Sequence, residues 1–473
     1  MKRAKDGTVV HVQPPRVLRS ASSSPSVLVR TKSANASWAK HPRNRYRVIP
    51  VLRKGSLNHP FHKPMRGRDP KELHRKSTSL EKLYDLTLVV ALSSVSHVFA
   101  KSMEYGDSIF RNCVQFVMLF FTIWNAWLPF IWFSSSYDVD DVLYRIGTLG
   151  QMIGILVVAD GIQNNLSEVL VGYVILRLFL EVFLRGRAAY QDPEHRGINV
   201  KCSAASLLLL VGWGVLFHSD MSDLVFQVCY VLLGLLEFGV PMVIIATSPV
   251  QHRYHAHHIS ERYSEFTIIV FGECLLSLSR ATVIESTFFN YRSLATLIFS
   301  MILLFMLWWF YFLMPFGYVM DADPSTAFRI GRGHFFIHGS LAAFATGLFM
   351  VARCANTVDP LTTTDTVLHG TNATTDQVMS TQTASMMIAV PIAAFLVSLP
   401  AVIGLPPVAY LKVGVVGLVQ VVLGLFVTSH VPLEVMLFLY CIPVCTLLVS
   451  VIWQGGIDEE TKTMALAALW YRQ

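Results

Sequence analysis

From Leu83 onward the chain alternates apolar stretches of 17–27 residues with short polar links, at about 83–100, 112–133, 145–161, 167–184, 202–218, 222–246, 263–280, 292–318, 334–353, 383–403, 411–428 and 431–453. About 20 helical residues are needed to cross a hydrocarbon layer ~30 Å thick. No water reaches that layer, so a crossing segment must pair its own backbone amides, which a helix does. The pattern predicts an all-α, polytopic membrane protein with about twelve transmembrane helices.

Charge is concentrated where the apolar pattern is missing. Residues 1–80 carry 19 Lys/Arg against 3 Asp/Glu, a net of +16, and the remainder carries 19 against 28, a net of −9, which together make the whole-chain +7. The leader contains Pro14-Pro15 and the Ser22–Pro25 run and has no apolar periodicity. A segment of this kind buries too little apolar surface to offset chain entropy, so residues 1–80 are expected to be a disordered basic tail. A cytosolic tail drawn to anionic lipid is favoured over an organellar transit peptide, and a plasma or endomembrane location over a mitochondrion or plastid. Charged residues make up 15% of the chain, against roughly a quarter in a soluble domain, and the positive excess sits in a tail. Nucleic-acid binding by a folded domain is therefore not expected. Seven scattered cysteines without a C-x-x-C read as small buried hydrophobes.

The links set an orientation. Counted from a cytosolic start, inward-facing links and the C-terminal tail hold twelve Lys/Arg, from Arg145 to Arg472, and outward-facing ends hold five: Lys101, Arg111, Arg280, Arg292 and Arg353. This positive-inside bias puts both termini in the cytosol. The longest outward link, about 354–382, then contains Asn372-Ala373-Thr374, which makes Asn372 a glycosylation candidate on the correct side.

Self-similarity divides the chain. Glu81–Val90 (EKLYDLTLVV) and Glu261–Val270 (ERYSEFTIIV) begin the first and seventh stretches 180 residues apart, with Lys82/Arg262 and Asp85/Glu265 in register. Tyr144-Arg145-Ile146-Gly147 and Phe328-Arg329-Ile330-Gly331, 184 apart, lead into the third and ninth. Six stretches separate the copies, so both halves insert the same way up, as two parallel six-helix repeats. The expected units are the tail 1–80, repeats 81–260 and 261–456, and a short cytosolic tail 457–473.

Ionisable groups within the apolar segments are the candidate functional residues. At 100° per residue, His258, Glu261, Arg262, Glu265 and Glu273 share an arc of about 120° on the seventh helix, and Glu81, Asp85, Ser93 and Ser96 share a similar arc on the first. Glu273 lies roughly 16 Å beyond Arg262, near the middle of the layer, where a carboxylate is costly unless it faces protein, water or a cation. It is the leading candidate. Glu81 and Asp85 also fit helix-dipole compensation. Arg177 and Glu181, one helical turn apart, read as a structural ion pair, and Glu237 is a further buried acid four residues before Pro241. His252, His255, His257 and His258 crowd one link, but no Cys or Asp spacing completes a metal site, so no metal or cofactor is expected. There is no P-loop, dinucleotide-binding glycine pattern, H-E-x-x-H or G-x-S-x-G, and an enzyme is not expected.

EKLYDLTLVVAL, the WNAW of the second stretch, Asp138–Met152 and HHISERYSEFTIIVFGE (His257–Glu273) resemble the bacterial low-temperature-requirement A family over about residues 81–353. Members show an E-L-F-F-D-L-V-F-type first helix and an H-x-x-E-R-F…I-I-x-x-G-E segment. Glu81 and Asp85 fall on the first pattern, and His258, Glu261, Arg262, Gly272 and Glu273 on the second. Lys82, Tyr84, Ser264 and Glu265 depart from it, and the long leader and Thr-rich outer link point to a eukaryotic relative. A more distant likeness, in repeat plan and an acid in the first helix, is to a lysosomal potassium-channel family.

The expected function is transport of an ion or small solute between the two halves, with Glu273 as the carboxylate at membrane depth. Glu81, Asp85, Glu261 and Glu265 frame the cytosolic side. The alternatives are a cation channel lined by the first and seventh helices, or a non-transporting stress or assembly protein whose buried charges are structural. The expected partners are the lipid bilayer and an ion or small-molecule substrate, with homo-oligomerisation left open.

Overall fold

The computed structural model describes residues 61–67, 75–105, 108–137, 139–250, 254–284, 291–357, 380–428 and 430–455. Residues Met1–Lys63 and Pro64–Gln473 are separate units, and only residues 61–63 of the first are described. The expectations for residues 1–60, His252, Asn372 and the 457–473 tail fall outside the described residues.

Among the described residues the chain is helical and has no strands. The helices are α1 (Ser79–Tyr105), α2 (Ile109–Tyr137), α3 (Val142–Asn164), α4 (Leu166–Arg177), α5 (Arg185–Gln191), α6 (Arg196–Phe217), α7 (Asp223–Ala246), α8 (Ala256–Ile284), α9 (Tyr291–Phe312), α10 (Phe316–Ala322), α11 (Ala327–Thr357), α12 (Thr381–Ile403), α13 (Pro407–Phe426) and α14 (Leu433–Gly455). A π-helical stretch, Leu178–Leu184, joins α4 to α5, and α10 resumes three residues after α9. The α9 break falls at Leu313–Pro315, where proline has no amide to continue the ladder. Each of the twelve expected stretches thus meets a helix or a joined run of helices.

Ten of these segments are long and apolar enough to cross a membrane. The remaining two are α4–π–α5 and α8. These two carry Arg177, Glu181 and Arg185, and His258, Arg262 and Glu273. Their charges face inward, so both segments lie within the same bundle as their apolar neighbours.

Local sequence accounts for the helix ends. Thr78 and Glu81 form a reciprocal cap on α1: the Thr78 amide donates to Glu81 Oε2 (2.8 Å), and the Glu81 amide to Thr78 Oγ1 (3.3 Å). The Tyr144 amide donates to the Asp141 side chain at the start of α3 (2.8 Å). Gly404, at φ +82°, ends α12 in the left-handed conformation that glycine adopts without Cβ strain.

In the first half α1 packs on α3 and α3 on α4. In the second half α8 packs on α11 and α11 on α12. The halves meet where α1 touches α8 and α11. Within their most apolar windows α2 and α11 are 78% and 72% enclosed, while α6 and α7 are 17% enclosed. The first two are therefore central and the others peripheral, with Leu208 and Leu235 among the apolar side chains they present outward.

Two described residues ahead of α1, Met65 and Arg75, pack on the helices. Met65 is fully buried, and its amide donates to Gln191 Oε1 (2.7 Å). The buried Arg75 guanidinium donates to the carbonyls of Ser134 (2.6 Å) and Ser135 near the end of α2. A cation at this end satisfies carbonyls that have no helical donor.

Candidate functional site

The charged faces of α1 and α8 meet at the seam between the halves. Arg262, fully buried, donates from Nε to Asp85 Oδ2 (3.0 Å) and from Nη2 to Asp85 Oδ1 (2.5 Å), and its Nη1 lies 3.1 Å from Glu81 Oε1. His258 Nε2 is 3.2 Å from Glu81 Oε2. The indole of Trp127 on α2 donates to Asp85 Oδ1 (2.8 Å) and stacks on Phe266 (4.2 Å between centroids). Glu81, Asp85, His258 and Arg262 therefore form one sealed network. Each ion would cost several kcal/mol to bury alone, and the paired geometry offsets this.

The network also corrects the reading of the histidine-rich link. The helix starts at Ala256, so His258 lies inside α8. His255 and His258 are both buried: His258 Nε2 lies 3.2 Å from Glu81, and the His258 amide donates to His255 Nδ1 (3.2 Å).

Glu261 and Glu265 occupy the more exposed edge of the seam. The Ser77 amide donates to Glu261 Oε2 (3.2 Å), its hydroxyl donates to Glu265 Oε1 (2.5 Å), and Lys82 Nζ lies 3.1 Å from Glu265 Oε1. The pairings are reciprocal: Lys82 of α1 meets Glu265 of α8, while Arg262 of α8 meets Asp85 of α1.

Glu273 stands apart from this network. It lies roughly 25 Å along α8 from Ala256 and about 17 Å short of Ile284. Its side chain is fully buried. Oε1 accepts from Ser277 Oγ (3.3 Å) and lies 3.9 Å from Arg280 Nη1, while Oε2 has no hydrogen-bond partner among the described residues. Arg280 Nη2 donates to Ser93 Oγ (2.9 Å), so α1 and α8 are also tied at this depth.

A second charged cluster lies within the first half. Arg177 Nη2 meets Glu237 Oε1 of α7 at 2.6 Å, whereas Glu181 is 3.6 Å from Arg177 and 2.7 Å from Arg185. The expected Arg177–Glu181 pair is present, but it is the longer of Arg177's two carboxylate contacts. Trp213 donates to Glu237 Oε2 (2.9 Å). Pro129 has no amide for the carbonyl of Asn125, four residues earlier, and Arg177 Nη2 donates to that oxygen instead (3.3 Å).

On the side of the bundle that carries the leader, Asp192 Oδ2 accepts from the Gly67 amide (3.1 Å) and the Tyr137 hydroxyl (3.1 Å) and lies 2.9 Å from His195 Nδ1. Burial pushes the Asp192 carboxyl up. The Gly67 amide, His195 and the Tyr137 hydroxyl outweigh it and hold the carboxyl below its ordinary range. Asp192, Glu194 and His195 are the one group of three close metal-type ligands among the described residues. The Asp192 oxygen nearest His195 already accepts two hydrogen bonds, so the group reads as an anchor for the leader.

Sequence reasoning missed Trp127 and the partnership of Glu237 with Arg177. Periodicity places a residue on a face of its own helix but does not show which other helix that face meets. The Thr78-x-x-Glu81 cap was visible as a four-residue motif.

A bundle of long apolar helices with buried charge pairs defines an integral, multi-pass membrane protein. The bacterial low temperature requirement A protein family matches residues 76–454, and the chain belongs to that family. The match extends past residue 353, where the resemblance read from motifs thinned, to the end of the last helix. No curated protein and no solved structure matches the chain.

Proposed function

We propose that this protein moves an ion or small solute across its membrane, with Glu273 as the group that takes up and releases a proton or cation. The observation that carries this reading is the fully buried Glu273 carboxylate, whose Oε2 has no hydrogen-bond partner among the described residues. In a low-dielectric interior such a group binds a proton or cation rather than remaining bare. Its position beside Ser93 and Arg280, where α1 meets α8, fits a route between the halves.

The same reading takes the halves as a duplication. It is supported by the matching packing order, α1–α3–α4 and α8–α11–α12, and by the reciprocal Lys82–Glu265 and Arg262–Asp85 pairs. Both termini are assigned to the cytosol. Flux in proteoliposomes under an imposed pH gradient, across a panel of ions and small metabolites, tests the proposal. Glu273→Gln is expected to abolish most of the flux. Unchanged flux in that variant removes the assignment of Glu273.

The non-transporting reading also has a specific observation behind it. Arg262 is held bidentately by Asp85 and lies 3.1 Å from Glu81, as in a structural clamp. An absence of flux for the wild type across the whole panel favours it.

A further inference from the structure

Helices α2, α11 and α12 frame an apolar groove of about 830 Å³, within the roughly 300–1,000 Å³ typical of ligand pockets. It follows α12 from Gln382 to Val402, roughly 30 Å at 1.5 Å per residue, which is the depth of the hydrocarbon layer. Phe336 and Val390 of its lining are 65% and 47% exposed, so the groove opens on the lipid-facing surface of the bundle. Short side chains leave the space: Gly339 and Ala343 of α11 and Ala394 and Ala401 of α12 share the lining with Phe116 and Phe120 of α2. The groove makes almost no polar demand. The Ser340 and Ser398 hydroxyls donate to carbonyls of their own helices, Ile337 (2.8 Å) and Phe395 (2.7 Å). Gln382 and Thr383 lie at the start of α12, at the opposite end from Val402.

The face of α11 that lines this groove continues into positive charge. At about 100° per residue from Arg332, Phe336 falls at 40°, Gly339 at 340°, Ser340 at 80° and Ala343 at 20°. Arg332 therefore lies in the middle of the lining face, one turn before Phe336. Arg329, at about 60°, is on the same face and nearer the start of the helix. Arg332 donates from Nε to the Phe238 carbonyl (3.0 Å) and lies over the rings of Phe238 and Phe328. Arg329 donates to the carbonyls of Val402 (3.1 Å) and Ile403 (2.6 Å). Neither guanidinium forms a salt bridge among the described residues. Val402 ties the two features together, since it lines the groove, packs against Gly333 of α11 and holds Arg329 through its carbonyl. Both cations sit within about 8 Å of the start of α11, at headgroup depth.

A groove of bilayer depth that ends at two cations without acidic partners complements an acyl chain joined to an anionic headgroup. We propose that it binds an acidic glycerophospholipid, with an acyl chain between α2 and α12 and the phosphate at Arg332 and Arg329. Guanidinium donors match phosphate oxygens, and a net negative lipid is favoured over a zwitterionic one because no carboxylate neutralises the two cations. A sterol fills the apolar part but leaves both cations without a partner. The groove shares no lining residue with the Glu273 seam, so the proposal does not depend on transport.

The test is native mass spectrometry of the full-length protein in detergent, titrated with phosphatidylglycerol or phosphatidylcholine carrying the same dioleoyl chains. A first, saturable one-to-one phosphatidylglycerol adduct is expected, with phosphatidylcholine about fivefold or more weaker. Arg332→Gln keeps a donor for the Phe238 carbonyl and removes the charge. It is expected to weaken phosphatidylglycerol binding about fivefold and leave phosphatidylcholine unchanged. Ala394→Trp, at an exposed position of the lining, is expected to remove the first site for both lipids without disturbing packed faces. Should Arg332→Gln fail to fold, the Ala394→Trp result and the lipid preference of the wild type decide. Three results overturn the proposal. One is stepwise uptake of both lipids with equal affinity, as for a nonspecific lipid annulus. Another is wild-type phosphatidylglycerol binding in either folded variant. The third is a dimer that Ala394→Trp dissociates with no first lipid site, which gives the face to a second copy of the chain.

Discussion

A guanidinium enclosed by Asp85, Glu81 and His258 cannot be removed without leaving two carboxylates in a dry interior. Arg262→Met is expected to destabilise the protein by about 3–5 kcal/mol, because breaking a buried pair from one side leaves its partner uncompensated. Arg262→Lys should recover only part of that loss, since an ammonium cannot hold Asp85 bidentately while reaching Glu81. Thermal unfolding of the purified variants measures both, and wild-type stability in Arg262→Met would show that the network contributes nothing. Asp192 makes a prediction with a defined sign. Its folded-state pKa is depressed, so its anchoring of Gly67 is at full strength above the ordinary aspartate value of about 3.9 and weakens as pH falls below it. Hydrogen exchange at the Gly67 amide, corrected for the intrinsic pH dependence, should lose protection only in that acid range. Loss of protection between pH 5 and 7 would contradict the assignment.

At the scale of helices, close approach depends on absent side chains. A Cβ added at Gly172 of α4 would lie 2.6 Å from both the carbonyl oxygen of Gly154 and the backbone nitrogen of Val158 on α3. Backbone atoms cannot swing aside, so Gly172→Ala must force α3 and α4 apart, at an expected cost of about 1–3 kcal/mol. Gly214 of α6 has nothing within 4 Å of its would-be Cβ. There alanine should be neutral or stabilising by up to about 1 kcal/mol, because it restricts the unfolded chain. Unfolding of the two variants side by side checks the contrast. These contacts were not legible in the sequence, where both residues read as single glycines in apolar runs. The caps at Thr78 and Asp141 were legible in principle, because each joins residues three apart.

For the whole molecule, the proposed topology has all twelve helical segments crossing, an even count, so N- and C-terminal tags are expected on the same face and the 354–382 link on the other. Protease protection of tagged protein in sealed vesicles, together with glycan at Asn372, reads this directly. Termini on opposite faces would remove one crossing. The positions of the twelve apolar segments, the membrane class and the charged faces of α1 and α8 could all be read from sequence, because hydropathy and the 3.6-residue period are local properties. Which faces meet could not. The Glu237–Arg177 contact, the Trp127 donor to Asp85 and the Arg280–Ser93 tie beside Glu273 each join residues 42 to 187 positions apart. Such contacts follow from packing between helices, and no periodicity within a single segment encodes it.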